Sequence, residues 1–151
     1  MVRFDNSIRI DLPVNRVFQF VADFENMPKW NYYVVQVSKV TAGPIGIGTT
    51  FRQLRKTDTQ QYKITTFEPD RKVAIATLPP APGLLMQFTF EPAGDNTLLT
   101  DAWELKGELL GLFGPLAAGR IKAAVAENLA KLKQLLEMGE VRLQDGRVER
   151  I

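Results

Sequence analysis

The stretch LLTDAWEL, residues 98–105, sets one carboxylate inside an apolar alternation. Side chains two apart on a strand share a face, so Leu99, Asp101, Trp103 and Leu105 point the same way. A carboxylate in such company is expelled to water, neutralised or paired. Asp101 is therefore either an acid–base group with a shifted pKa, or a strand-end residue that reaches solvent or pairs structurally with Arg55. Two further groups could share acid–base work with it: Arg55, in TTFRQLRK, and Tyr62, in QQYKITTF. The chain has no cysteine and no histidine. That excludes disulfides, zinc sites built on Cys or His, a thiol nucleophile and any histidine-containing triad. Its serines, Ser7 and Ser38, lie outside any Gly-x-Ser-x-Gly turn. No metal and no cofactor is expected.

The elements that must position these groups follow from period and punctuation. Ile8, Ile10 and Leu12 alternate as a first strand, and Pro13 suits the first turn of the helix that follows, with Asp11 or Leu12 near its cap. Val14, Val17, Phe18 and Val21 recur at helical spacing, and Pro28 stops or resets that helix, with one more short turn over 27–30. The period then changes to two. YYVVQVSKVTAG, TTFRQLRKT, QQYKITTFEP, KVAIATLP, LLMQFTFEPAG and TLLTDAWELKG each end at turn residues, and GDN between the last two is a hairpin signal. Strands so spaced predict an antiparallel meander. Pro115 opens a long helix that Gly139 closes, with an apolar stripe of Ala118, Ile121, Val125, Leu129, Leu132 and Leu136. At ~1.5 Å per residue that helix is ~36 Å long. Seven strands at ~4.8 Å span about 29 Å, so the helix can cross the whole sheet and bury its stripe there. EVRLQDGRVERI, at 140–151, reads as a small hairpin or a flexible tail.

Bulk properties narrow the function. A chain of 151 residues fits one domain with a real core. Lys and Arg outnumber Asp and Glu by only 19 to 17, with no basic element beyond RQLRK at 52–56, which alternates faces. A nucleic-acid partner is therefore not expected. No apolar run approaches the ~20 residues that span a bilayer, so no integral membrane association is expected. The opening MVRFDNSIRI lacks a signal-peptide pattern, and a cytoplasmic protein is the expectation.

Strand, helix with a kinked exit, six strands and a long C-terminal helix: this order resembles the START-like, or SRPBCC, superfamily. SIRIDLPVNRVFQFVADFENMPKW, Ser7 to Trp30, is similar to the opening of its polyketide cyclase/dehydrase and lipid-transport group, where an alternating strand meets a proline, a Val-Phe helix, an Asp and a Pro-x-Trp. GDNTLLTDAWELKG, Gly94 to Gly107, looks like that group's Gly-x-x-Thr hairpin. The resemblance covers residues 2 to about 138. It implies an α+β helix-grip fold, a curved seven-stranded antiparallel sheet wrapped around the C-terminal helix, with short N-terminal helices. Residues 1–139 would form a single ligand-binding domain and 140–151 a tail or small hairpin. It also implies a cavity between sheet and helix, used in the family for lipids, hormones, polyketides and other apolar ligands. Some members are cyclases or hydrolases. Relatives that bind iron do so through two histidines and a carboxylate, and a chain without histidine is outside that branch.

Strand parity supplies the cavity's lining: Phe51, Gln53 and Arg55; Tyr62 and Ile64; Met86, Phe88 and Phe90; Asp101 and Trp103. Such aromatic rows are either plain core or the wall of a largely apolar site with a few polar groups. Ile121 and Val125 from the helix stripe face them, and Asn128 flanks it, as an inward amide or an ordinary boundary residue. Trp30 and Tyr32 are placed to plug one end of the cleft, with one of Tyr32 and Tyr33 turned out. The glycine-rich segment 106–116, which carries Phe113, is either a lid or a packed loop. Three readings remain open: a carrier or binder of a small hydrophobic molecule, a cyclase/dehydrase-type enzyme, and a protein-interaction module, as a monomer or homodimer.

Overall fold

The computed structural model describes residues 2–106 and 115–151. Strand β1 (Val2–Ile10) leads into helix α1 (Val14–Ala22) and a 3-10 helix (Phe24–Lys29). Strands β2 (Val34–Lys39), β3 (Thr50–Arg55), β4 (Thr59–Glu68), β5 (Lys72–Thr77), β6 (Leu84–Ala93) and β7 (Asn96–Leu105) follow. Helix α2 (Pro115–Met138) and a hairpin, β8 (Glu140–Arg142) with β9 (Val148–Arg150), complete the chain. The seven main strands form one antiparallel sheet in the order β1-β7-β6-β5-β4-β3-β2. This is the expected α+β helix-grip architecture. Register shifts at Val34/Gln36 and Ile64/Thr66 bend the sheet. Gly94, at φ 65°, makes the two-residue turn between β6 and β7 that GDN signals.

Three local expectations are corrected. Pro13 is itself the cap of α1: its carbonyl accepts from Arg16 N–H at 3.1 Å and Val17 N–H at 3.2 Å, and its ring leaves φ at −69° without cost. The turn after α1 runs from Phe24 to Lys29 with Pro28 inside it, capped by the Asp23 carboxylate on Glu25 N–H at 3.2 Å. Strand β2 starts at Val34, because Tyr32 and Tyr33 belong to a turn in which the Asn31 side chain accepts from Tyr33 N–H at 3.0 Å.

Helix α2 ends where Gly139 takes φ 77° and donates to the Leu135 carbonyl at 2.8 Å. Its second half enters the core: Leu129, Leu132, Leu135 and Leu136 are buried, while Ala118 and Ile121 in the first half are only half-covered and Leu116 is exposed. The expected stripe is thus present, extended by Leu135 and unevenly buried. Its backbone runs closest to β1 and β8. Polar ties fix it there: Asn6 Nδ2 donates to the Lys122 carbonyl at 3.1 Å, Lys133 Nζ to the Arg9 carbonyl at 2.5 Å, and Asp11 N–H to Glu137 at 2.7 Å. The terminal hairpin is ordered onto the same core through Val141 and Leu143, and Arg147 reaches the Pro28 carbonyl at 3.0 Å.

Candidate functional site

The register arranges the inner face of the sheet in rows. One row runs Ile8, Leu99, Phe90; the next, Asn6, Asp101, Phe88, Val73; the third, Phe4, Trp103, Met86, Ile75, Ile64. Tyr62 and Phe51 oppose each other beyond them. The first row closes against α1, where Phe18 meets Phe90 edge-on at 5.1 Å. The 3-10 helix covers the β3–β4 side. Phe24 lies at 5.5 Å from Phe51 and 5.8 Å from Tyr62, and Trp30 meets Phe88 at 6.3 Å. This answers why Trp30 follows a proline: the 3-10 turn carries the indole inward, where it is 3% exposed. Ile121, Val125 and Asn128 share one face of α2 by helical spacing. Val125 and Asn128 are buried.

Around this apolar face stand polar atoms that no group among the described residues satisfies. Trp30 Nε1, Tyr62 Oη, Asp101 Oδ1, Trp103 Nε1 and Asn128 Oδ1 are all buried without a hydrogen-bond partner. Buried polar atoms are normally paired, and each orphan costs about 1–3 kcal/mol; three of the five belong to the sheet, in β4 and β7, while Trp30 ends the 3-10 helix and Asn128 belongs to α2. Arg147 Nε, also buried, lies in the terminal hairpin 3.4 Å from Glu149. Asp101 is 2% exposed and stands between Asn6 and Phe88 in register. Burial pushes its pKa up to about 7, against a smaller lowering by the neighbouring Trp103 N–H. Burial also raises Tyr62, so its phenol stays protonated. Among the described residues no lysine or arginine is buried. An ionised Asp101 therefore has no buried cation to meet.

The structure brings together Trp30, Phe51, Gln53, Tyr62, Ile64, Met86, Phe88, Asp101, Trp103, Val125 and Asn128 as inward or buried groups, with Ile121 at the half-covered end of α2. Two expectations are corrected. Arg55 does not meet Asp101: it is the next inward position after Gln53 but sits at the strand end. There it grips Asp58 through Nε at 2.7 Å and Nη2 at 3.2 Å. Tyr32 does not plug the cleft, since its ring lies under Lys56 Nζ at 3.4 Å, outside the strand. Phe90 is buried against Phe18 of α1. Phe113 lies outside the described residues, as does most of the 106–116 segment.

Three inward residues escape the sequence reading. Phe24 continues the helical spacing of Val17 and Val21, and that signal could have found it. Phe4 stacks on Trp103 at 5.6 Å, and Asn6 shares the parity of Ile8 and Ile10, so strand alternation points to both. A separate groove of about 360 Å³, lined by Arg52, Gln61, Leu78 and Pro80 among others, lies on the outer side of β3 and β4.

Several solved structures share this fold. The Aha1 dimer from Colwellia psychrerythraea superposes with a TM-score of 0.73 at 20% identity, over 92% of this chain and 98% of that one. DynU16, from the dynemicin biosynthetic locus, gives 0.69 at 18% identity, over 91% of this chain and 48% of its own. The di-domain ARO/CYC BexL, from the BE-7585A biosynthetic pathway, gives 0.68 at 14%, over 90% and 48%. This chain thus spans about half of the last two proteins. None of the curated proteins matches the sequence. Residues 1–137 match the family described as polyketide cyclase / dehydrase and lipid transport. With that match over nearly its whole length and the helix-grip fold beneath it, the chain belongs to the polyketide cyclase/dehydrase and lipid-transport family.

Proposed function

We propose that the protein binds a small, largely apolar molecule between the inner face of the sheet and α2. The observation that carries this reading is the set of orphaned polar atoms in an otherwise apolar, aromatic-walled face. The uneven burial of α2 supports it: the second half of the helix is anchored in the core, while the first half stands over Asn6, tied to it by one hydrogen bond. Family membership agrees with a hydrophobic ligand. No described helix is long and apolar enough to cross a membrane. The chain acts as a monomer or, as the Colwellia neighbour was solved, a homodimer.

The test is native mass spectrometry of the purified protein, with a thermal-shift panel of fatty acids, sterols and aromatic polyketides. A ligand at a hundred times its Kd stabilises the folded state by about 2.7 kcal/mol, a shift of roughly 5–11 °C for a chain of this size. No copurified mass and no shift across the panel would count decisively against the reading.

One observation favours an enzyme of the cyclase/dehydrase type as the second reading. The Asp101 carboxyl, with a pKa near 7 beside an indole N–H, is poised to take or give a proton at neutral pH. Tyr62 stays protonated, which suits a hydrogen-bond donor. Arg55, tied to Asp58, has no part in it. Unchanged turnover of an identified substrate in Asp101→Asn would remove Asp101 from that role.

A further inference from the structure

Provided that the ligand sits between the sheet and α2, on which the inference rests, the orphaned atoms also specify its polar head. Trp30 Nε1–H and Trp103 Nε1–H are donors, the second beside the Asp101 carboxyl without completing a hydrogen bond to it; Asp101 Oδ1 and Asn128 Oδ1 stand as acceptors; the Tyr62 hydroxyl can be either. Asp101 and Trp103 are two apart on one face of β7, so a donor and an acceptor lie side by side. Three kinds of polar head can be weighed against this arrangement.

A carboxylate brings only acceptors. It would satisfy the indoles but leave Asp101 Oδ1 and Asn128 Oδ1 unmet. It would also set a second anion beside Asp101 where no lysine or arginine among the described residues is buried. Arg55 is committed to Asp58, and Arg147 to the Pro28 carbonyl and Glu149. An ammonium brings only donors: it could pair with an ionised Asp101, but at the cost of desolvating both charges, and it would leave both indole N–H groups facing a head that cannot accept. A hydroxyl donates one bond and accepts others, and so serves both members of the Asp101–Trp103 pair at once. We propose that the pocket selects a neutral apolar molecule bearing an alcohol or phenol, its hydroxyl seated between the Asp101 carboxyl and the Trp103 indole N–H, and discriminates against carboxylates and amines of the same body.

The test compares heads on fixed bodies at pH 8: dodecanol, dodecanoate and dodecylammonium, and 2-naphthol, 2-naphthoate and 2-naphthylmethylammonium. The chain's only tryptophans are Trp30 and Trp103, both on the inner face, so intrinsic fluorescence reports binding there. In at least one body the hydroxyl compound is expected to bind on the order of tenfold or more tighter than its two charged counterparts. Asp101→Asn should narrow the gap between hydroxyl and carboxylate several-fold. Trp103→Phe, which keeps an aromatic ring and removes the donor, should weaken the hydroxyl compound with Trp30 still reporting. Equal binding of all heads, tighter binding of either charged head, or an unchanged hydroxyl-to-carboxylate ratio in Asp101→Asn would overturn the inference while leaving the cavity intact. No binding by any member of either set would overturn both.

Discussion

Replacing Asp101 by asparagine should change how stability depends on pH, in a direction fixed by the burial of its carboxyl. The unfolded carboxyl titrates near 3.8 and the folded one near 7. Between those values the folded state holds a proton that the unfolded state has lost, so stability falls as pH rises through the window. The contribution is complete below about pH 4 and gone above about pH 7. At ~1.36 kcal/mol per pH unit, the whole gap amounts to about 4 kcal/mol as an upper figure. The asparagine variant has the same shape and no titration, so it should gain on the wild type by several kcal/mol between pH 4.5 and pH 8. Urea unfolding followed by tryptophan fluorescence at pH 4.5, 6 and 8 measures this. Other groups carry the opposite sign. Burial works to raise Glu137, but hydrogen bonds from Lys133 and the Asp11 N–H outweigh it and hold it low; Asp145 is lowered first by the Arg147 N–H. Both are present in both proteins and cancel in the difference. A difference that stays constant with pH, or a wild type that gains on the variant as pH rises, would refute the assignment of Asp101 as a buried carboxyl without a cation.

The remaining predictions concern the frame around the site. Leu132→Ala, at a fully buried position of α2, should cost about 2–5 kcal/mol in urea unfolding. Thr97→Val removes the buried hydroxyl that donates to the Leu12 carbonyl at 2.8 Å; the carbonyl is then left without that donor, and the change should cost about 1–3 kcal/mol by the same assay. Glu137→Gln weakens the exposed tie to Lys133 and should cost at most about 1 kcal/mol at neutral pH. Because Glu137 is held low when folded, that cost should vanish as pH falls through its folded pKa, and equal losses at pH 3 and pH 7 would contradict it.

Much of this architecture is legible in the residues. Strand parity places Phe51, Ile64, Met86, Phe88 and Asp101 on the buried face, because alternation over a half-buried sheet leaves a sharp signature. The tertiary partners are not legible. Arg55 has the right parity, but its position at the end of β3 lets it reach Asp58 within the same hairpin, a local ion pair that sheet alternation does not encode. Tyr32 reads as a strand residue on its β-forming type, yet the Asn31 turn takes it out of the ladder and Lys56 covers it. Asn6 shows the reverse: an amide that looks like a surface residue is inward because α2 offers it the Lys122 carbonyl. Which polar atoms stay unpaired depends on distances among β7, α2 and the 3-10 turn, and no single segment of sequence carries those distances.

The proposed ligand would sit between β7 and the first half of α2. A crystal structure of the protein with its copurified or best-binding molecule tests this most directly. The expected result is density for a non-protein molecule within hydrogen-bond reach of Asp101 Oδ1 and Trp103 Nε1. Protein side chains filling that space, with Asp101 paired to another residue of the chain, would contradict it.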